Sequence, residues 1–597
     1  MNSMKRLFVY LRPYRFKFAS SIFFNILYTF TRTSQPFIIG LAISQLAKDV
    51  TSGNEINFKY IFYIIIALTV TSALDAIGDY LSNYLLSDVV QSSMKDMRKE
   101  INQKINFLPV SYFDSHKQGD LLNRVTTDVD AIGNALQQGL LRIFSSILIL
   151  LFSVVFMFIR SPLFAIIAVL IFPICIGIYK IIYRKSQPLF TELQNSLGDL
   201  NAYTTEHLAA YEVIQLFGQE EEVIKGFKKI NKKIDLVGFK SNLMASITNP
   251  ILSHIIHIAY IGLFVVMAIT ILGKPLAIGG FVLASSIDVG GLQSFVQYIW
   301  QAGSPIQDIT QLSNTFQAAF ASLNRVFEFL DEENEVQEDL PLPIDTNSVK
   351  GDIDFEHLSF GYSKDKLLMK DININVKSGD TIAIVGSTGA GKTTLINLLM
   401  RFYDLNGGSI TIDGVNMNEF TKEQFRSMFG LVLQDPWLYY DTIANNIRFG
   451  KLDATDEEVV EAAKVANVYH YINTLPHGFD TILNEESSNI SQGQKQLITI
   501  ARAIVKNPKI LILDEATSSV DTRLEVLIQK AMVNAMEGRT SFVIAHRLST
   551  IRDADLILVM SNGSIVEQGN HKELLEQDGV YKELYESQFA NGHIEDN

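Results

Sequence analysis

The sequence predicts a multidomain membrane protein: a six-helix all-α transmembrane domain followed by an α/β domain. Three observations carry that prediction. The chain has 597 residues, too many for one core, and is 48% hydrophobic yet only 19% charged, as expected when an apolar half is joined to an ordinary soluble half. Apolar stretches of roughly spanning length recur at 18–46, 57–85, 137–160, 163–183, 248–272 and 276–300. Beyond residue 350, short β-rich runs alternate with helical ones.

The elements follow in order. Residues 1–17 are basic and amphipathic and lack a small-residue cleavage site after a short apolar core, so they do not read as a removable signal. The membrane domain is expected over 18–330. Two of the gaps between its spans, 86–136 and 184–247, are long and polar, with apolar residues every three or four positions. They predict membrane helices that continue beyond the bilayer and turn there. Lys5, Arg6, Arg12, Arg15 and Lys17 mark the N-terminus, and Lys225, Lys228, Lys229, Lys232 and Lys233 mark the second long gap. The excess of basic residues places these segments, and with six crossings the C-terminal half, in the cytoplasm. The acidic, proline-containing stretch 331–343 opens a linker over 331–349. The α/β domain is expected over 350–590, with strands around Ile353–Phe355, Thr381–Val385, Ile410–Ile412, Lys509–Leu513 and Ser541–Ile544, and a tail over 591–597. The net charge of −14 argues against nucleic acid as a partner. The single cysteine, Cys175, excludes an intrachain disulfide and a cysteine-based zinc site.

The strongest chemical motif is Gly386-Ser387-Thr388-Gly389-Ala390-Gly391-Lys392-Thr393, which lies between the strand TIAIV and a helical run. It matches the phosphate-binding loop in the context that loop requires. The glycines let backbone N–H groups turn inward around phosphate oxygens, and the following helix adds its positive N-terminal end. Lys392 can neutralise the outer phosphates, and Thr393 can ligate Mg²⁺. Later, the apolar run 510–513 ends in Asp514 and Glu515. After a phosphate loop, this pair reads as a Mg²⁺ holder and a general base for the attacking water. His546 follows the run 541–545, where a lone histidine is more often structural than functional.

With these pieces in place, the C-terminal half resembles the nucleotide-binding domain of the ATP-binding-cassette (ABC) family. Tyr362, in FGYSKDKLLMKD, matches the family's adenine-stacking aromatic, and Gln434, in LVLQDPWLYYDTIANNI, matches its Q-loop glutamine. Ser491, Gly493 and Gln494 match the signature motif, Asp521 the D-loop, and His546, in IAHRLST, the switch histidine. The resemblance implies that Glu515, His546 and Gln434 are catalytic and that Thr393, Gln434 and Asp514 hold Mg²⁺. It implies that ATP is held by Tyr362, Gly386–Thr393, Thr394, Ser491, Gly493, Gln494 and Asp521. The N-terminal half resembles the exporter-type membrane domain (type I, or type IV), on the tracts SYFDSHKQGDLLNRVTTDVDAI and AYTTEHLAAYEVIQLFGQEEEV. That likeness implies an elbow helix at 1–17, turns near Val110–Lys117 and Leu208–Phe217 that dock on nucleotide-binding domains, and a plasma-membrane half-transporter that works as a dimer.

Departures from the family pattern bear on the partner. The usual L-S-G-G-Q signature is here Ile490-Ser491-Gln492-Gly493-Gln494, and glycines flanking Glu485 are replaced by Asn484 and Ser487. A glycine is lost where backbone approaches the phosphates of the other subunit's ATP. The pattern resembles the catalytically intact half of heterodimeric multidrug exporters, and the alternative is a tolerated substitution in a homodimer. The implied activity is ATP-driven export of hydrophobic or amphipathic compounds by alternating access, with a lipid or glycolipid flippase or a non-transporting regulatory ATPase as alternatives. Among intramembrane ionisable residues, Asp288 is expected mid-membrane in the sixth helix, and Asp75 and Asp79 share a face of the second; all three are candidate substrate contacts. His254 and His257 share a face of the fifth helix, but two ligands alone make no metal site.

Overall fold

The computed structural model of the chain describes residues 3–271, 276–278, 281–283, 287–335, 346, 348–363, 366–484, 489–514, 521–545 and 548–588. It divides into two compact units, Met1–Phe107 with His116–Glu333, and Leu108–Ser115 with Asn334–Asn597.

The first unit is helical. A short helix, Ser3–Leu11, precedes long ones at Arg15–Thr51, Phe58–Phe107, Gly119–Arg160, Ile171–Ala209, Glu220–Ile271 and Val289–Asp331. Phe58–Phe107 has 50 residues. At about 1.5 Å per residue, it is roughly twice as long as the bilayer's hydrocarbon core is thick. The long gaps are therefore helical extensions, as their periodicity predicts. By length and hydropathy, two of the described helices could cross a membrane, Phe58–Phe107 and Gly119–Arg160.

Several polar side chains on these helices are satisfied by nearby carbonyls. Thr29 and Thr33 donate to the carbonyls of Asn25 and Thr29 at 2.7 and 2.6 Å, removing hydroxyls from an apolar surround. Two helices meet through small residues: a Cβ on Gly290 would overlap the Gly40 carbonyl oxygen, and Ser294 donates to Pro36 O at 2.8 Å. The short N-terminal helix and the turn after it are moored by Ser3 to Asn324 at 2.7 Å and Tyr14 to Asp96 at 2.9 Å. Buried Asp128 accepts from Ser322 Oγ at 2.8 Å and Arg325 Nε at 3.0 Å, crosslinking the helices Gly119–Arg160 and Val289–Asp331.

One expectation is overturned. The apolar stretch 276–300 is not a single helix. Leu276–Ile278 (β1) and Phe281–Leu283 (β2) pair antiparallel, and the helix begins only at Val289. Asp288 is its N-cap, with extended backbone (φ −96°, ψ 172°) and its carboxylate accepting from Gly291 N at 2.7 Å. Asp288 is therefore not mid-helix. A carboxylate that caps satisfies one of the helix's orphan N–H groups, whereas within the helix it would meet only apolar neighbours.

The second unit holds two sheets. One is antiparallel, in the order β4-β3-β6-β7 (Met369–Val376, Ile353–Phe360, Gly407–Ile412, Val415–Asn416). The other has the order β12-β11-β5-β10-β9-β8 (Ser564–Gly569, Leu556–Ser561, Thr381–Gly386, Thr540–Ile544, Ile510–Asp514, Phe429–Val432) and is parallel from β8 to β11. Its central strands are mainly apolar because both faces are covered. Leu511, Leu513 and Val543 join one core, while Ile510, Ile512, Phe542 and Ile544 join the other, as the two-residue period of a strand requires.

Two further segments belong to this unit. The helix Val110–Ser115 contributes Asp114, whose carboxylate accepts from the Tyr403 hydroxyl. At the start of the linker, Glu335 accepts from Arg426 Nη1 and Nη2 at 2.9 and 2.7 Å, and Lys422 lies 3.4 Å away. Arg426 also donates to the carbonyls of Met400 and Arg401, just past the helix Lys392–Leu399. Burial pushes the Glu335 carboxyl up, but the Arg426 hydrogen bonds and the two cationic charges outweigh it and hold it below its ordinary value. A depressed carboxyl stabilises above its unfolded pKa, and that contribution is lost as pH falls through the folded one. Glu335→Gln is therefore expected to cost about 1–2 kcal/mol of local hydrogen-exchange protection around Asn334–Glu335 at neutral pH. The difference from wild type should shrink below about pH 4, and an undiminished difference would contradict the ionic origin.

Candidate functional site

The site assembles at the C-terminal ends of the parallel strands. β5 ends at Gly386, and the loop to the helix Lys392–Leu399 turns at Gly389 (φ +83°) and Gly391 (φ +104°), conformations that a side chain disfavours. At Gly386 a Cβ would run into the Met560 carbonyl oxygen on neighbouring β11. Lys392 Nζ donates to the loop's own carbonyls, Gly386 O at 2.7 Å and Ser387 O at 3.1 Å. Burial pushes its ammonium below the ordinary lysine value, and the nearby Asp514 carboxylate counteracts that. Thr393 is exposed at the mouth of the loop, and Thr394 is buried behind it.

The register fixes the acidic partner. Asp514, the last residue of β9, and Ile384 of β5 both pair with Ile544 of the intervening β10. Asp514 is thus level with the end of β5 and two strand spacings away, about 10 Å. Gln434 follows β8, which flanks β9 on its other side, and is exposed. Thr393, Asp514 and Gln434 each carry a side-chain oxygen, the donor chemistry that suits Mg²⁺. Glu515 and His546 lie outside the described residues.

Tyr362 sits beside the loop. Its ring is 59% exposed, and its hydroxyl hydrogen-bonds with Thr394 Oγ1 at 3.0 Å. Phe360 and Tyr403 brace it edge-on at 5.1 and 5.3 Å. Its high exposure leaves ring surface for a planar group to stack on. Ser491 caps the helix Gln492–Lys506 in a reciprocal box with Gln494, and Asp521 caps Thr522–Met536 by accepting from Arg523 N and Leu524 N, both at 3.0 Å. Gln492 is the first helical residue, exposed and absent from the positive-φ set. Backbone conformation therefore does not demand glycine there, and the expected loss of close approach to the other subunit's phosphates rests on side-chain bulk alone, at an exposed helix start.

In the membrane unit, Asp75 and Asp79 share a face as expected. Asp79 accepts from Asn83 Nδ2 at 2.9 Å, and one Asp75 oxygen is buried without a partner. Arg32, which the sequence reading passed over, is their electrostatic neighbour and donates to the Tyr28 hydroxyl at 2.6 Å. A basic residue inside the first apolar run was the available signal. Arg160 was also missed; it lies 3.9 Å from Asp288. His254 bonds its own helix at Pro250 O, and among the described residues no group of three or more His, Cys, Asp or Glu is placed to hold a metal.

A phosphate loop, an acidic strand end and a helix-capping signature on one α/β unit, fused to long apolar helices, define a membrane-coupled ATPase. The family profile of the ABC transporter transmembrane region matches residues 18–289, and that of the ABC transporter matches 369–518. The chain is 42% identical, over 84% of its length and 77% of the relative's, to a fatty acid ABC transporter ATP-binding/permease protein of Mycobacterium tuberculosis (strain CDC 1551 / Oshkosh). It is 33% identical, over 99% of its length and 98% of the relative's, to an ATP-dependent lipid A-core flippase of Haemophilus influenzae (strain 86-028NP). A solved structure of a bacterial Atm1-family ABC exporter with ATP bound superposes with a TM-score of 0.75 at 28% identity, covering 97% of this chain and 99% of that one. The chain belongs to the ABC transporter family as an ATP-hydrolysing exporter half-transporter, a membrane domain and its ATPase in one polypeptide.

Proposed function

We propose that this half-transporter exports hydrophobic or amphipathic compounds across the plasma membrane, with lipid-like amphiphiles favoured over cationic drugs. The N-terminus and ATPase are cytoplasmic in this reading, on the basic-residue distribution. The observation that carries the substrate preference is the placement of Asp288. As a helix cap beside Arg160, it is no lone mid-membrane carboxylate that would draw cations. Both cited relatives named for a substrate are named for lipids, a fatty acid and lipid A-core. The test is transport in vesicles with labelled fatty acids and phospholipids against drug-like cations. Lipid flux that depends on ATP supports the reading, and flux of cations alone would refute it.

Thr393, Gln434 and Asp514 would hold Mg²⁺ in this proposal, and that ion would supply neutralisation of phosphate charge. Tyr362 stacks on the adenine, and Ser491 with the exposed N-terminus of its helix faces ATP held by the other subunit. Pairing is supported by the turn around Tyr211–Leu216. Leu208, Tyr211, Leu216 and Phe217 are 58–78% exposed there, an apolar tip suited to a partner surface. The departures around Gln492 favour a heterodimer with one degenerate ATP site.

A further inference from the structure

We propose that Arg160 recognises the anionic headgroup of the transported amphiphile, with Asp288 as its internal competitor; the inference rests on the amphiphile reading above. Arg160 ends the helix Gly119–Arg160, and its side chain is only 14% exposed. Its guanidinium lies over the Phe37 ring at 4.6 Å, held between the helices Arg15–Thr51 and Val289–Asp331. Yet its Nε and Nη2 are buried without a hydrogen-bond partner. The Asp288 carboxylate, half exposed, is 3.9 Å from Nη1, beyond hydrogen-bond range, and its Oδ1 is already engaged by Gly291 N. The Tyr298 hydroxyl lies within electrostatic reach of Arg160 and close to the Phe37 backbone.

A guanidinium removed from water is strongly disfavoured unless its donors are met. Here a planar fork of donors is preformed, braced by an aromatic ring, and left largely unspent. A carboxylate or phosphate matches that fork bidentately. Gly40 lies against Arg160 Nη2, and Gly40 and Gly290 bring the flanking helices into backbone contact beside it. Parting of these helices would expose the buried donors. An amphiphile whose headgroup reaches this level finds a cation there whose only described counter-charge is loosely held.

The test uses the full-length transporter in nanodiscs, with ATPase stimulation by palmitate, cetyl alcohol and cetyltrimethylammonium as readout. Arg160→Gln is expected to weaken the response to palmitate about tenfold or more, the scale of a charge-assisted hydrogen bond, and to leave that to cetyl alcohol within about twofold. Arg160→Lys should retain part of the palmitate response. Asp288→Asn, by removing the competitor, should sharpen the palmitate response several-fold, the opposite of what a purely structural ion pair predicts. Equal weakening of all probes by both variants, or no change in either, overturns the assignment. Stimulation of the wild type by cetyl alcohol but not by palmitate overturns it too and leaves the amphiphile reading standing. A wild type indifferent to all three probes refutes both.

Discussion

Glu515→Gln is expected to lower ATP hydrolysis by about 10²–10⁴-fold, the usual contribution of a positioned general base, while ATP binding persists. The substitution keeps size and hydrogen-bonding capacity and removes only the basic oxygen. Asp514, one residue earlier in the sequence, closes a strand that is buried along its length before it, so the Asp514 carboxylate emerges where β9 leaves the core. Its level with the end of β5 puts it across from the phosphate loop, and the next residue on the chain is the natural candidate to face the attacking water. Phosphate release by the purified complex, with nucleotide retention measured alongside, checks this. A variant that keeps most of its turnover would remove Glu515 from the catalytic role, and one that loses nucleotide binding as well would show a damaged fold.

Lys392→Ala is expected to abolish turnover in the assembled complex. Lys392 Nζ is held over the loop by two carbonyls, part-buried and near Asp514, so the positive charge is preset where outer phosphates would sit. Removing it leaves the polyphosphate without its nearest side-chain cation. The same substitution in the partner tests the heterodimer. If this chain's Lys392, Asp514 and Glu515 face an intact signature while Gln492 faces the partner's ATP, the partner's lysine variant should keep measurable hydrolysis. The two-site asymmetry would be read as slow nucleotide exchange at one site and turnover at the other. A stable homodimer of this chain with full substrate-stimulated activity would instead make Gln492 a tolerated variant, in line with its ordinary helical backbone.

What was legible in the sequence is what is local in the chain. The strand, glycine loop and helix of the phosphate site occupy consecutive residues, so composition and spacing suffice to read them, and Gly389 and Gly391 take positive φ in that loop. The long polar gaps announced helical extensions because a 3.6-residue period persists across them whatever surrounds it. The caps at Ser491 and Asp521 use donors only two or three residues away, although in the sequence these residues read as motif matches and not as caps.

The tertiary structure alone decided what depends on residues distant in sequence. A hydropathy window averages side chains and is blind to backbone direction, so it merged the β1–β2 hairpin and the start of the last long helix into one span and put Asp288 in mid-membrane. Only packing brought Arg160 beside Asp288, and only packing left its Nε and Nη2 without partners. The anchoring of Glu335 by Arg426 belongs to the same class, because an acidic linker reads as solvated until a distant cation is folded against it. Chain-local geometry carries the chemistry of ATP, while the electrostatic character of the membrane path arises from pairings between helices that no short window of sequence contains.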